Sequence, residues 1–184
     1  MVKRIFLSWL LVLMAMPLLA QEGRPVFLGL QPADITKEPE YAGNAFDLNV
    51  VPVVVQLALG RRIDLRATTL VNYHFGDDDE LGEWGLYFLA PVFIKKKETV
   101  HARSSGFYVG PVLGLVRSVR LNESKMTLAV EPGYMFKARL RFTVSGGLQL
   151  GGTWFVPDEG EERVASHFGV KVQLGWWLGG GAAH

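Results

Sequence analysis

The sequence predicts an all-β protein: an eight-stranded antiparallel up-and-down transmembrane β-barrel, preceded by a cleaved signal peptide. Three observations predict it. Hydrophobicity alternates with period two along most of the chain, as in RIDLRATTLVNYHF at 62–75, a pattern that a pleated strand produces and a helix does not. The alternating segments are long, nearer the about 9–11 residues of a tilted membrane strand than the about 5–6 of a soluble one. In each segment one face is continuously apolar and aromatic near its ends, while the other is small or polar, the layout of a barrel with lipid outside.

The N-terminus stands apart. Lys3 and Arg4 precede the apolar run IFLSWLLVLMAM, Pro17 ends it, and Ala20 offers a small residue for cleavage. The run has the length of a signal-peptide core and falls short of the about 20 residues of a spanning helix. Residues 1–20 are therefore expected to be a signal peptide, 21–178 the barrel, and 179–184 a short flexible tail.

Within 21–178, PVFLGLQ (25–31) is expected as the first strand and PADITKEPEYAGN as the first external loop. DLNVVPVVVQLALG (47–60) is apolar on both faces and carries Pro52. It reads as one strand whose second apolar face turns to the lumen. A tight turn at Gly60–Arg61 follows. The strand after it sets Ile63, Leu65, Ala67 and Val71 against Asp64, Arg66 and Thr68, with Thr69 and Leu70 breaking the rule.

EWGLYFLAPVFIKK turns Trp84, Leu86, Phe88, Val92 and Ile94 outward. SGFYVGPVLGLVR turns Phe107, Val109 and Leu113 outward and Tyr108, Gly110 and Gly114 inward. KMTLAVEPGYMFK, LRFTVSGGLQLGGTW and RVASHFGVKVQLGWWL repeat the arrangement, with Glu131, Arg141, Ser145, Gln149, Lys171 and Gln173 on the inward face. Tight turns at Gly60–Arg61 and around Ala138 alternate with longer polar loops, GDDDELGE, RSVRLNESK and VPDEGEER, as in barrels with short periplasmic turns and longer external loops. KKKETVHARSS falls on the tight side and is not tight. An even strand count then requires eight.

Composition narrows the function classes. The chain has 184 residues and no Cys, which excludes a lipid anchor on cysteine, disulfides and thiolate metal sites. Its 19 Lys and Arg against 18 Asp and Glu give a net charge of +1. Removing Lys3 and Arg4 with residues 1–20 leaves 17 against 18, a balance with no nucleic-acid signature.

The stretches NAFDLN, GFYVGPVLGL and LAVEPGYMF, with the last strand, resemble the small outer-membrane β-barrel proteins of the OmpA/OmpX/OmpW-like group. His167, Gly169, Val172 and Leu174 resemble the barrel-assembly signal of such proteins, although GGGAAH follows Trp177–Leu178 where they usually end on an aromatic residue. The resemblance implies a Gram-negative outer-membrane location, contact with outer-membrane lipid and lipopolysaccharide, and delivery by the barrel-assembly machinery through the last strand.

Four groups of residues are candidates for function. Asp64, Arg66, Glu131, Arg141 and Lys171 form an expected lumen charge network, with a Glu131–Lys171 pair across Ser145, since buried charges need partners. Pro52, Pro91, Pro111 and Pro132 lack the N–H that a strand ladder uses, and form a possible lateral gate. Asp77, Asp78, Asp79 and Glu80 form a possible divalent-cation loop; Asp158, Glu159, Glu161 and Glu162 cluster similarly. His74 beside Asp77, and Ser166–His167, are the candidates for catalysis, but adjacent residues on a strand face opposite sides and cannot form a direct dyad.

The reading is a small outer-membrane barrel with a structural or surface-interaction role and a mostly plugged polar lumen. It is expected to be monomeric, without cofactor or nucleic-acid partner. A narrow pore or lateral gate for small hydrophobic molecules is the alternative, and a lipid A-modifying enzyme the second alternative.

Overall fold

The computed structural model describes residues 23–36, 46–75, 80–139 and 141–179. The expected signal peptide and the chain beyond Gly179 lie outside these residues. The elements are β1 (Val26–Thr36), β2 (Phe46–Asn49), β3 (Val53–Ala58), β4 (Asp64–Phe75), β5 (Glu80–Leu89), β6 (Val92–Phe93), β7 (Gly106–Ser118), β8 (Glu123–Arg139), β9 (Phe142–Pro157) and β10 (Arg163–Leu178), with no helix among the described residues.

Every pairing is antiparallel. β1 pairs β10 and β3, and the chain of neighbours continues β10–β9–β8–β7–β5 on one side and β3–β4 on the other. Pairing of β4 with β5, from Arg66↔Leu89 to His74↔Glu80, closes the ring. β5 and β6 both pair β7, and β3 and β2 both pair β4, so ten elements occupy eight wall positions. β2 extends its position with β4 as its partner. Closure removes the free edges that an open sheet would expose.

Three boundaries differ from those the sequence predicts. The first strand runs on to Thr36, into the expected loop. The opening apolar stretch is two strands, because Pro52 cannot donate to a ladder. Side chains bridge the break: Asn49 Oδ1 accepts the N–H groups of Val51 at 3.2 Å and Val71 at 3.0 Å, and Thr69 Oγ1 accepts that of Val53 at 2.9 Å. The polar residue Thr69, which broke the alternation, is there for this reason. Third, β8 continues through Ala138 to Arg139, and β9 begins at Phe142.

The expected alternation of short turns and long external loops does not hold either. The connection at 119–122 spans four residues, closed by Asn122 with φ 49°. The longest fully described connection, 94–105, lies at the opposite end, which we term the basal rim because β1 starts and β10 ends there. The other end is the distal rim.

The wall has an inverted polarity. Side chains turned inward on β8 (Lys125, Thr127, Ala129, Glu131, Met135) are buried, and those between them (Met126, Leu128, Val130, Phe136) are exposed apolar groups. β7, β9 and β10 repeat this. The outward run Met126–Phe136 spans ten residue steps, about 33 Å along a strand at about 3.3 Å per residue. A barrel-strand tilt of about 40° makes that about 25 Å along the axis. Aromatic rings gather at its basal edge: Phe107 and Tyr134 at 4.6 Å, Tyr134 and Phe136 at 4.2 Å, Phe142 and Trp176 at 5.1 Å between centroids.

Candidate functional site

The lumen is filled, and inward glycines explain how. An eight-stranded barrel is just wide enough for its own side chains, so each large residue needs a neighbour without one. Gly29 and Gly175 face each other across β1 and β10, and a Cβ on either would meet the Phe27 ring at 2.8 Å or less. Gly114 makes the same notch for Tyr87, Gly133 for Tyr108, and Gly147 for the Glu131 carboxylate, which a Cβ would approach to 2.6 Å. The small lumen face seen in the sequence is thus a set of sockets.

Three layers fill the interior. At the basal end an apolar plug joins Phe27, Val54, Phe93, Met135 and Trp177, with Phe27 and Trp177 rings 5.6 Å apart. The expected inward apolar face of 47–60 survives as Val54 in this plug, packed instead of forming an empty pocket.

The middle layer is polar and continuous. Glu131 accepts from Tyr108 Oη at 2.8 Å and from Gln149 Nε2 at 2.7 Å, and lies 3.6 Å from Arg66 Nη1. Arg66 Nε donates to Gln56 Oε1 at 2.7 Å, and Gln56 Nε2 donates to Asp64 Oδ2 at 2.6 Å. Asp64 also takes Lys97 Nζ at 3.0 Å and Ser104 Oγ at 2.5 Å. Toward the distal rim, Gln149 Oε1 contacts His167 Nε2 at 3.1 Å, and His167 Nδ1 contacts Thr153 Oγ1 at 3.4 Å. With Arg66 Nη1 donating to Tyr108 Oη at 3.3 Å, a chain of side-chain hydrogen bonds runs from Thr153 to Lys97.

Lys97 explains the long basal connection. Residues 94–105 fold back under the barrel, held by Lys97 N to Arg61 O at 2.8 Å and Arg61 Nε to Lys97 O at 3.0 Å. This places a buried ammonium beside Asp64. Gly106, at φ 99°, turns the chain from this loop into β7, a conformation only glycine adopts readily.

The third layer lies near the distal rim. Lys125 pairs with Glu83 at 2.5 Å, and Glu123 lies 3.3 Å from Arg163. The Lys125 ammonium lies 5.3 Å and the Arg163 guanidinium 4.1 Å from the centroid of the Phe155 ring.

Of the five expected lumen charges, Asp64, Arg66, Glu131 and Lys171 are buried inward. Arg141 is not. Its parity is inward, but β9 has not begun, and it stands exposed just before Phe142. Glu131 and Lys171 line one cavity with Ser145 nearby, and the Lys171 ammonium lies 5.1 Å from the Tyr87 centroid. That cavity measures about 10 Å³, room for about one water, and two buried atoms without a protein hydrogen-bond partner, Arg66 Nη2 and Gln173 Oε1, belong to its lining residues.

The prolines occupy breaks and outward positions in a bonded wall. Pro91, Pro111 and Pro132 lie on adjacent wall positions, and β4 separates Pro91 from Pro52. Ala90 N donates to Pro111 O at 3.2 Å, Asp64 N to Pro91 O at 3.1 Å, and Gln31 N to Pro52 O at 2.8 Å. β7 and β8 pair without a shift through Pro111↔Val130 and Val109↔Pro132.

Asp77, Asp78, Asp79 and the Glu80 and His74 side chains lie outside the described residues. Among those described, no group of three His, Asp or Glu side chains is placed to hold a metal. Asp158, from the second acidic cluster, forms a bidentate pair with Arg117, at 2.7 and 2.5 Å. Ser166 is exposed on the face opposite His167.

Comparison with protein-family models, curated proteins and solved structures finds no match. The barrel's own chemistry therefore carries the functional reading. Tyr108, Gln56, Gln149, Lys97 and Ser104 are the site residues that the candidate groups missed. Parity alone puts Tyr108 and Gln149 inside, but nothing in sequence spacing pairs them with Glu131.

Proposed function

We propose that this protein is a small outer-membrane barrel with a structural or surface-interaction role, its lumen closed to solutes by its own side chains. One observation carries the reading: the interior holds a buried polar network above an apolar basal plug, while the exterior is an apolar belt about 25 Å tall with aromatic rings at its basal edge, the height of a membrane barrel's lipid-facing band. A water-soluble barrel of this size would place its apolar faces inside. A belt of this extent far exceeds the few hundred Å² of apolar patch that soluble monomers expose, and lipid is the solvent it fits. In this reading the basal rim, which holds both chain ends, is periplasmic and the distal rim external.

The filled lumen favours the closed role over conduction. The Phe27–Trp177 plug and the 94–105 loop close one end, and the Arg66–Glu131–Tyr108 cluster occupies the centre. Membrane fractionation with heat-dependent gel mobility tests the location; recovery only in the soluble periplasmic fraction defeats it. Planar-bilayer recordings test the closure. Steady single-channel conductance by the purified barrel would replace this reading with the narrow-pore one.

A further inference from the structure

The basal rim carries a ring of cations placed one residue beyond the apolar belt. Arg62 precedes outward Ile63, Lys95 and Lys96 follow Ile94, Lys137 follows Phe136, and Arg141 precedes Phe142. Ile63, Ile94 and Phe136 are exposed apolar residues, Ile94 the most so at 71%. Arg61, Arg62, Lys95, Lys96, Lys137 and Arg141 are themselves exposed. Against them the basal rim has one exposed carboxylate among the described residues, Glu98, since Asp64 is buried on Lys97. Lys137 sits in the combined field of Arg103 and Lys95, opposed by Glu98. The distal rim differs, with Asp158, Glu159, Glu161 and Glu162 exposed.

We infer that this ring binds anionic phospholipid headgroups of the leaflet around the basal rim, an inference that rests on the membrane reading above. The spacing is the argument. Headgroup phosphates lie just beyond the hydrocarbon, and long cationic side chains that start at the belt's edge extend outward to that level. Four places each supply an exposed cation beside the last apolar residue: Arg62, Lys95 and Arg141 in connections, where strand parity no longer directs the side chain, and Lys137 near the end of β8. Lipid phosphate is therefore favoured over a soluble acidic protein, which would require no such register with the belt.

Spin resonance with spin-labelled phosphatidylglycerol and phosphatidylcholine tests it, using the full barrel refolded into phosphatidylcholine vesicles. The expected result is a several-fold preference for the anionic lipid. About 0.5 M salt should abolish it, since screening then acts within a few ångströms. Arg62→Ser, Lys95→Ser, Lys96→Ser and Lys137→Ser combined should abolish it too. Heat-dependent mobility checks that this variant folds, and the salt arm on the unaltered protein stands if it does not. Equal association of the two lipids with an inserted barrel overturns the inference alone, as does a preference that survives the four substitutions in a folded barrel. Failure of the folded protein to insert overturns the membrane reading first.

Discussion

Lys97 Nζ stands 3.0 Å from Asp64 Oδ1, with both side chains almost wholly buried. One comes from the basal loop and the other from the first residue of β4, so this pair fastens the loop to the wall. Lys97→Met leaves the Asp64 carboxylate buried beside Gln56 and Ser104 without its cation. Removing one partner of a buried pair costs about 3–5 kcal/mol. Urea unfolding in vesicles should show a loss of that order, and bilayer recordings should show new transient conductance as the loop releases. Asp64→Asn with Lys97→Met should recover part of the stability.

The Glu131 cluster should behave as a unit. Glu131→Leu strands Arg66 in the lumen, and a loss of about 3–5 kcal/mol is expected on the same grounds. Arg66→Met alone should cost a similar amount. The double substitution should cost less than the two together by about 0.5–3 kcal/mol, the range of coupling for residues in one network. Strictly additive losses in a double-mutant cycle would mean the two side chains do not share their energy.

Leu150 is half-exposed on the outer face of β9, opposite Val130 in the middle of the belt. Leu150→Arg should cost about 2–4 kcal/mol if that face meets lipid. In water a surface change of this kind stays within about 0.5 kcal/mol. The same unfolding assay therefore reads out which solvent the belt faces.

The Arg117–Asp158 pair ties the connection at 158–162 to β7. Its bidentate hydrogen bonds hold the Asp158 carboxyl below the usual carboxylate value. The folded value lies below the unfolded one, so the tether is complete above the unfolded value and is lost as pH falls through the folded one. A spin label at Glu161→Cys should gain mobility only in strongly acidic solution. With Asp158→Asn added, it should be mobile at every pH.

The sequence by itself determined the class of fold and most of its polarity. Period-two alternation needs no knowledge of neighbours, because a strand's geometry sends successive side chains to opposite faces. It put Asp64, Arg66, Glu131 and Lys171 inside and the belt outside. It misplaced Arg141, because parity says which way a residue points but not whether the strand has begun.

Only the tertiary structure decided the partners and the ends. Arg66, Tyr108 and Glu131 come from β4, β7 and β8, and they meet because closure wraps those strands around a lumen too narrow to keep them apart. Phe27, Met135 and Trp177 form the basal plug from three strands, each one residue in a segment apolar at neighbouring positions, so no local pattern marks them. The fold-back of 94–105 rests on contacts distant in sequence: Lys97 to Asp64 across 33 residues, Ser104 to Asp64 across 40, and Arg61 to Lys97 across 36. Such contacts depend on register and depth, which the wall's hydrogen bonds set and a single strand's sequence does not carry.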